Sequence, residues 1–334
     1  MSDLGQPINE QSILKRRRVW RRWMHLFLVL AVVGGELFAR FYLGLGDPPL
    51  MQLDPQIEYL FQPSHTYRRF GNHIHYNQWS MRSPELEKQK ASPDEFRVLI
   101  VGDSVVNGGS LTDDSQLATT LLQRDLSEKL KRKVVVGNVS AGSWGPANQL
   151  SYLQRFGLFD ADEVVFVWSS HDVYDVPLFD PRLTHAPDFP TSTPICALWE
   201  GFTRYFVPRL WFLRPEEPPP EVPATQPVPS CIDAMKTSIE MAKAMGAGVI
   251  VARHYTVEEL GKPEGWAHAA IREVAQEEGV PLISFDAAFQ TGIKQGLPIY
   301  RDIIHPGPAG QRVIADVLEP AIEESLHAAK PAGT

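Results

Sequence analysis

Five short apolar runs, rich in β-branched residues, punctuate the chain at 97–101, 133–138, 163–168, 247–252 and 282–285. Runs of this length without polar alternation fit strands buried on both faces. Between them, apolar residues recur three and four apart. Leu117, Leu121, Leu122 and Leu126 mark one face of a helix over 115–130. Thr112, Asp113 and Asp114 supply its N-cap and acidic first turn. Pro146 opens a second helix that runs to about 156. Further helices are expected over 231–245, 264–278 and 308–327. Strand alternating with helix predicts right-handed crossovers and helices on both faces of the sheet. The expected fold is a three-layer α/β/α sandwich around a mainly parallel five-stranded sheet.

The N-terminal pattern is different. From Met24 to Leu45 the chain is apolar except for His25, Glu36 and Arg40. That is long enough to cross a bilayer, which takes about 20 residues. Residues 26–33 are apolar on every side, unlike an amphipathic surface helix. Lys15, Arg16, Arg17, Arg18, Arg21 and Arg22 stand just before this stretch. A basic flank of this kind places the N-terminus in the cytoplasm and the remainder outside, in the periplasm of a Gram-negative cell. Ala39-Arg40-Phe41 is a poor cleavage site, so an uncleaved anchor in the inner membrane is expected. Glu36 and Arg40 are spaced to pair on one helix face. They either snorkel to headgroups near the outer interface or form a docking point for a partner membrane protein.

These patterns divide the chain into a basic tail (1–23), an anchor (24–45), an extension (46–95) and an α/β domain (96–330). The extension carries Tyr59, Phe61, Tyr67, Tyr76 and Trp79, too apolar a set for a free linker. It is expected to pack on the domain as short strands. The domain's periodicity breaks over about 173–230, where proline is frequent yet Trp199, Phe202, Tyr205, Phe206, Trp211 and Phe212 occur. A long aromatic loop of this kind is read as a flap beside the site mouth. The alternatives are a packed surface insertion or a membrane contact.

The net charge of −8 argues against a nucleic-acid partner. Cys196 and Cys231 are the only cysteines. In an oxidising compartment they can pair across the insertion, and we favour that bridge, although they can equally remain separate. No Cys/His cluster has zinc spacing, so neither metal nor cofactor is expected.

Chemistry enters at the end of the first apolar run, where Gly102-Asp103-Ser104 follows the strand at once. Ligands of open α/β sheets bind at this rim. Alone, the triplet reads as a tight turn with a capping Ser. Near the other end the chain reads Asp302-Ile303-Ile304-His305-Pro306. A carboxylate three residues before a His can fix the imidazole tautomer, and that His can then take a proton from Ser104.

Together, Gly102-Asp103-Ser104 and Asp302-x-x-His305-Pro306 resemble the SGNH, or GDSL-type, hydrolases. Asn138-Val139-Ser140-Ala141-Gly142 resembles the second segment of that family, and residues 164–172 resemble the third. The resemblance implies a flavodoxin-like α/β fold and an acyl-enzyme mechanism. Ser104 is then the nucleophile, His305 the base and Asp302 its orienter. The N–H groups of Ser104 and Gly142 form the oxyanion hole. The third segment usually reads Gly-x-Asn-Asp, its Asn being a further oxyanion donor; here Ser169 and His171 replace the Gly and the Asn. His171 either donates from its ring or lines the site. Asn107, Trp144, Asp172 and His254 are expected at the substrate. Membrane-tethered extracytoplasmic members include esterases and O-acetyltransferases of cell-wall or exported polysaccharides, the latter often beside a multispanning membrane acyltransferase. The implied substrate is therefore a carbohydrate or other acyl ester. A lipase-like esterase, with the aromatic insertion as its acyl-binding surface, and a weakly catalytic scaffold subunit are the alternatives.

Overall fold

The computed structural model describes residues 10–179, 189–210 and 225–329. The apolar N-terminal stretch forms helix α1 (Glu10–Leu37), continued by a wider π-helical turn at Phe38–Tyr42. Lys15–Tyr42 is long and apolar enough to cross a membrane, and only 6% of its most apolar window is buried. The extension then folds into two antiparallel hairpins. One pairs β1 (Met51–Asp54) with β2 (Glu58–Phe61), the other β3 (His65–Arg69) with β4 (Asn72–Tyr76). Tyr59, Phe61, Tyr67, Ile74 and Tyr76 are buried in the same apolar cluster as one face of the main sheet.

The five apolar runs become five strands: β5 (Phe96–Gly102), β6 (Val134–Ser140), β7 (Glu163–Trp168), β8 (Gly248–Arg253) and β9 (Leu282–Ser284). All pair in parallel, in the order β6-β5-β7-β8-β9. β5 leads into a single turn, α2 (Ser104–Asn107), and then α3 (Ala118–Leu130); α4 is Pro146–Phe156 and α5 (Ala197–Glu200) lies in the insertion. The remaining helices are α6 (Pro229–Ala244), α7 (Trp266–Glu277), α8 (Asp286–Lys294) and α9 (Pro308–Ala329). Alternate strand residues feed two cores. Leu99, Val101, Phe166 and Val251 meet α4, α6 and α7, while Val98, Ile100, Val165 and Ile250 meet α3, α8 and α9. Each fully buried aliphatic or Phe side chain contributes roughly 1.5–3 kcal/mol, which is why the strands tolerate no polar alternation.

The strand order reverses beside β5, since the chain crosses to β6 on one side and returns to β7 on the other. The loops leaving β5 and β7 therefore diverge and open a crevice at the C-terminal edge of the sheet. Ser104 sits at that crevice, one residue past the Asp103 that follows β5.

Several expectations are corrected. The first long helix starts at Ala118, because Asp114–Gln116 forms a separate 3₁₀ turn capped by Asp113. Asp114 is drawn away to Arg82 at 2.9 Å and to the His75 N–H at 2.7 Å. α8 has no counterpart in the expected helices. The two cysteines are free. Cys231 is buried and donates to the Asp175 carbonyl at 3.3 Å, while the Cys196 sulfur accepts the Trp199 N–H at the start of α5.

The aromatic insertion is also placed differently. Trp211 and Phe212 lie outside the described residues. Around α5, Glu36 accepts the Ala197 and Leu198 N–H groups at 2.9 Å each and pairs with Arg40 at 3.0 Å. Glu200 is buried and pairs with buried Arg69 at 2.5 Å, and Arg69 also donates to the Tyr205 hydroxyl at 2.9 Å. These contacts hold the Trp199–Phe206 segment against the C-terminal end of the apolar helix and the β3–β4 hairpin. A flap over Ser104 does not describe the Trp199–Phe206 segment, because its partners lie on α1 and the β3–β4 hairpin. Removing one member of a buried ion pair leaves an uncompensated charge. Glu200→Ala is expected to lower stability by roughly 3–5 kcal/mol. Chemical denaturation of the full-length protein in detergent measures this, and a loss under about 1 kcal/mol would contradict it.

Candidate active site

The nucleophile position follows from local sterics. At Gly102 a Cβ would lie 2.5 Å from Val106 Cγ2 and 3.1 Å from the Val167 carbonyl oxygen. Only glycine lets β5 turn directly into α2. Asp103 caps that turn, its Oδ1 accepting the Val105 N–H at 2.8 Å. Ser104 is left half-buried with its hydroxyl facing the crevice side of the sheet.

Two buried residues that sequence reasoning gave no role hold the surrounding loops. Arg82 donates to the carbonyls of Asn107 and Gly109 at 2.6 Å and of Thr112 at 2.5 Å. Gln311, on α9, donates to the Val105 carbonyl at 2.8 Å and accepts the Ala118 N–H at 2.9 Å. Gln311 thereby joins α9, α2 and α3. Neither carries a local signature. A Gln six residues after His305, or an Arg in an irregular stretch, becomes a clamp only when the fold buries it.

His305 arrives from the opposite end of the domain. Its loop is braced by the Arg301 N–H donating to the His305 carbonyl at 3.0 Å and by a bridge between Tyr300 and Pro306. His305 Nε2 stands 2.9 Å from Ser104 Oγ, and Nδ1 stands 2.8 Å from Asp302 Oδ2. The other Asp302 oxygen accepts the Ile304 and His305 N–H groups at 3.0 and 2.7 Å. Burial pushes the Asp302 carboxyl up, but those N–H bonds and the His305 ring outweigh it, and its pKa lies below the usual value. An ionised Asp302 accepts Nδ1–H, which leaves the Nε2 lone pair for the Ser104 proton.

Gly142 lies just beyond β6, where the Tyr59 hydroxyl donates to its carbonyl. A Cβ at Gly142 would meet nothing within 4 Å, so open space adjoins its backbone. The Ser104 and Gly142 N–H groups have no hydrogen-bond acceptor among the described residues. A carbonyl oxygen between them would find two unspent donors.

His171 Nε2 lies 3.0 Å from Asp103 Oδ2, so the ring is drawn towards that carboxylate. Burial would lower the His171 pKa, but the charges of Asp172 and Asp103 and the bond to Asp103 outweigh it and raise it to about 10. Burial likewise works to raise the Asp103 pKa, but the His171 contact and the bond from the Val105 N–H outweigh it and bring it below the usual value. The result is an ion pair directly behind the nucleophile. Asp103, His171 and Asp172 place ligand atoms within 4.8 Å of one another. The His171 cation already supplies the positive charge that this cluster needs.

The four residues expected at the substrate are all buried and otherwise engaged. Asn107 accepts from the Tyr76 hydroxyl at 3.3 Å and donates to the Ser140 carbonyl at 3.1 Å. Trp144 donates to the Tyr59 carbonyl at 3.2 Å. Asp172 accepts the Ser169 N–H at 2.6 Å, closing its own turn, and burial pushes its pKa well up. His254 Nε2 lies 2.8 Å from the Ile304 carbonyl, and burial pushes its pKa down to about 4. A neutral His254 therefore donates to that carbonyl and braces the loop that carries His305. These positions support the site from beneath rather than lining it.

A sequence model described as the GDSL-like lipase/acylhydrolase family matches residues 100–313. No curated protein matches. Solved structures similar to the chain include an α/β hydrolase from the metagenome of Lake Arreo, at 16% identity and TM-score 0.44, covering 71% of this chain and 97% of that one. TesA is similar at 19% identity and TM-score 0.44, covering 69% and 99%. Axe2, an acetyl xylan esterase from Geobacillus stearothermophilus, is similar at 15% identity and TM-score 0.43, covering 71% and 97%.

Proposed function

The chain belongs to the GDSL-like lipase/acylhydrolase family and is a serine hydrolase, and on that footing we propose a membrane-anchored esterase or O-acyltransferase of an envelope carbohydrate. The observation that carries the catalytic part is the line Asp302–His305–Ser104, with contacts of 2.8 and 2.9 Å.

Ser104 Oγ attacks the ester carbonyl while His305 Nε2 takes its proton. The carbonyl electrons move onto oxygen, between the Ser104 and Gly142 N–H groups. Each such donor is worth roughly 2.7–4 kcal/mol in comparable sites. His305 then protonates the leaving alkoxide, and the acyl group stays on Ser104. Water completes a hydrolysis and a sugar hydroxyl completes a transfer. In either case His305 removes the incoming proton and returns it to Ser104 Oγ as that oxygen leaves the acyl carbon.

The anchor reading is supported by the apolar span Lys15–Tyr42 and its basic flank. It is also supported by exposed Trp199, Phe202 and Phe206, on the segment that Glu36 ties to the C-terminal end of that helix, where Phe38, Phe41 and Tyr42 are exposed too. Trp and Tyr favour the level of lipid headgroups. A domain clamped there through Glu36 and Arg69 faces the extracytoplasmic side of the inner membrane, where a multispanning acyltransferase can supply acyl groups. The lipase-like alternative needed the aromatic row as an acyl-binding surface, and its place beside the span removes that support.

A fluorophosphonate probe on membranes holding the full-length chain tests the catalytic part. Labelling of the wild type and none of Ser104→Ala is expected; an unlabelled wild type rejects the mechanism. Mass spectrometry of the exported polysaccharide tests the substrate. Its acyl content should change between cells with the wild type and cells with Ser104→Ala, and an identical profile removes the carbohydrate assignment.

A further inference from the structure

We propose that a cleft beside the His305 loop is a subsite for an uncharged glycan, whose sugar rings stack on Trp266 and Tyr174. The inference rests on the carbohydrate reading above and specifies the substrate class for the same site. The cleft holds about 730 Å³, within the range of built ligand sites. Its walls come from the turn after β7 (Ser170, Tyr174), the turn after β8 (Tyr255, Thr256) and the start of α7 (Trp266). All three lie at the C-terminal edge of the sheet, as Ser104 does.

The cleft is tied to the candidate active site on two sides. Ser170 directly precedes His171. The β8 wall is bonded to the His305 loop, since the Tyr300 hydroxyl donates to the Tyr255 carbonyl and the Val257 N–H donates to the Ile303 carbonyl at 2.9 Å. The cleft wall therefore backs directly onto the loop that carries His305.

The lining chemistry selects a sugar. Trp266 and Tyr174 are 39% and 37% exposed, large values for aromatics in a concave site, and their rings lie 6.1 Å apart at 41°. Such faces accept the C–H side of a pyranose, which is apolar while its edge is hydroxylated. Glu258 and Lys262 stand at the rim, exposed, as an acceptor and a donor for those hydroxyls. A fatty acyl chain would instead call for a closed apolar tunnel. The charge narrows the class further. Glu264 is already paired with Arg253 and Arg272, which leaves Glu258 and Glu259 facing a single lining lysine, Lys262. A polyuronate would meet like charge here, whereas a neutral hexose or pentose chain would not.

Calorimetry on the full-length Ser104→Ala protein in detergent tests this without turnover. The probes are cellohexaose, mannohexaose and hexagalacturonate. At least one neutral hexasaccharide should bind more tightly than the uronate. Trp266→Ala should weaken that binding by roughly tenfold or more, and Trp266→Phe should keep it within about threefold. Glu258→Lys, a change at an exposed side chain, should raise hexagalacturonate affinity. The proposal is overturned if no neutral hexasaccharide binds, if Trp266→Ala binds like its parent, or if hexagalacturonate binds best. Failure of wild-type labelling by fluorophosphonate would strike the catalytic reading instead and leave these binding results standing.

Discussion

Full-length protein carrying Ser104→Ala is expected to hydrolyse p-nitrophenyl acetate at least about 10³-fold more slowly than the wild type, the loss falling on kcat. The hydroxyl removed is the one 2.9 Å from His305 Nε2, and no other side chain on this path can form the acyl-enzyme. His305→Ala should cost about as much, and the double variant no more than either, because the two groups act in one step. Asp302→Asn should lower kcat by between about 10² and 10⁴-fold. An Asn oxygen can still accept the Ile304 and His305 N–H groups, so the loop keeps its shape. What is lost is the anionic partner of Nδ1, and with it the tautomer that leaves Nε2 free. Steady-state kinetics on purified protein decides the matter, and retention of more than a tenth of the activity in Ser104→Ala would end the nucleophile assignment.

His171→Leu is expected to destabilise the fold by roughly 3–5 kcal/mol at neutral pH, since it leaves the fully buried Asp103 carboxylate without its cation. The pH dependence gives the sign. His171 has a folded pKa raised to about 10 from 6.5, so its stabilisation is fully present below 6.5 and is lost as pH rises towards 10. Asp103 has a folded pKa below its usual 3.8, so its share is present above that value and is lost as the solution becomes more acid. The wild type should therefore lose stability between pH 6.5 and 10. In His171→Leu that alkaline slope should vanish. Asp103 then lacks its partner and burial raises its pKa, so the variant should instead lose stability as pH climbs through the acid range. Denaturant titrations of both proteins from pH 4 to pH 10 test this, and parallel curves would show that the pair has no such role.

Both results depend on how much the chain announces locally. β7 runs over Glu163–Trp168 and α4 over Pro146–Phe156, each within about a residue of where apolar pattern and proline place them. Buried parallel strands must be continuously apolar, and proline suits a first helical turn, so both leave marks in a few adjacent residues. α8 left no such mark, because a nine-residue helix with only two buried residues shows little periodicity. Ser104, Asp302 and His305 stood out because two of them lie three residues apart and the third follows a strand directly. For Asn107, Trp144, Asp172 and His254 the chain offers only position. Position fixes which end of the sheet a residue occupies but not whether its side chain faces solvent or core, and all four face inward.

The chain's own order of residues determined the α/β alternation, the apolar span and the pairing of a strand-end hydroxyl with a distant Asp-x-x-His, since each depends on neighbours a few positions apart. Tertiary packing alone decided that Arg82 and Gln311 clamp the site, that His171 neutralises Asp103 and that the aromatic insertion lies against the span. Those outcomes join groups dozens to hundreds of residues apart. Burial and charge compensation are properties of the assembled surroundings, and no short stretch of sequence contains them.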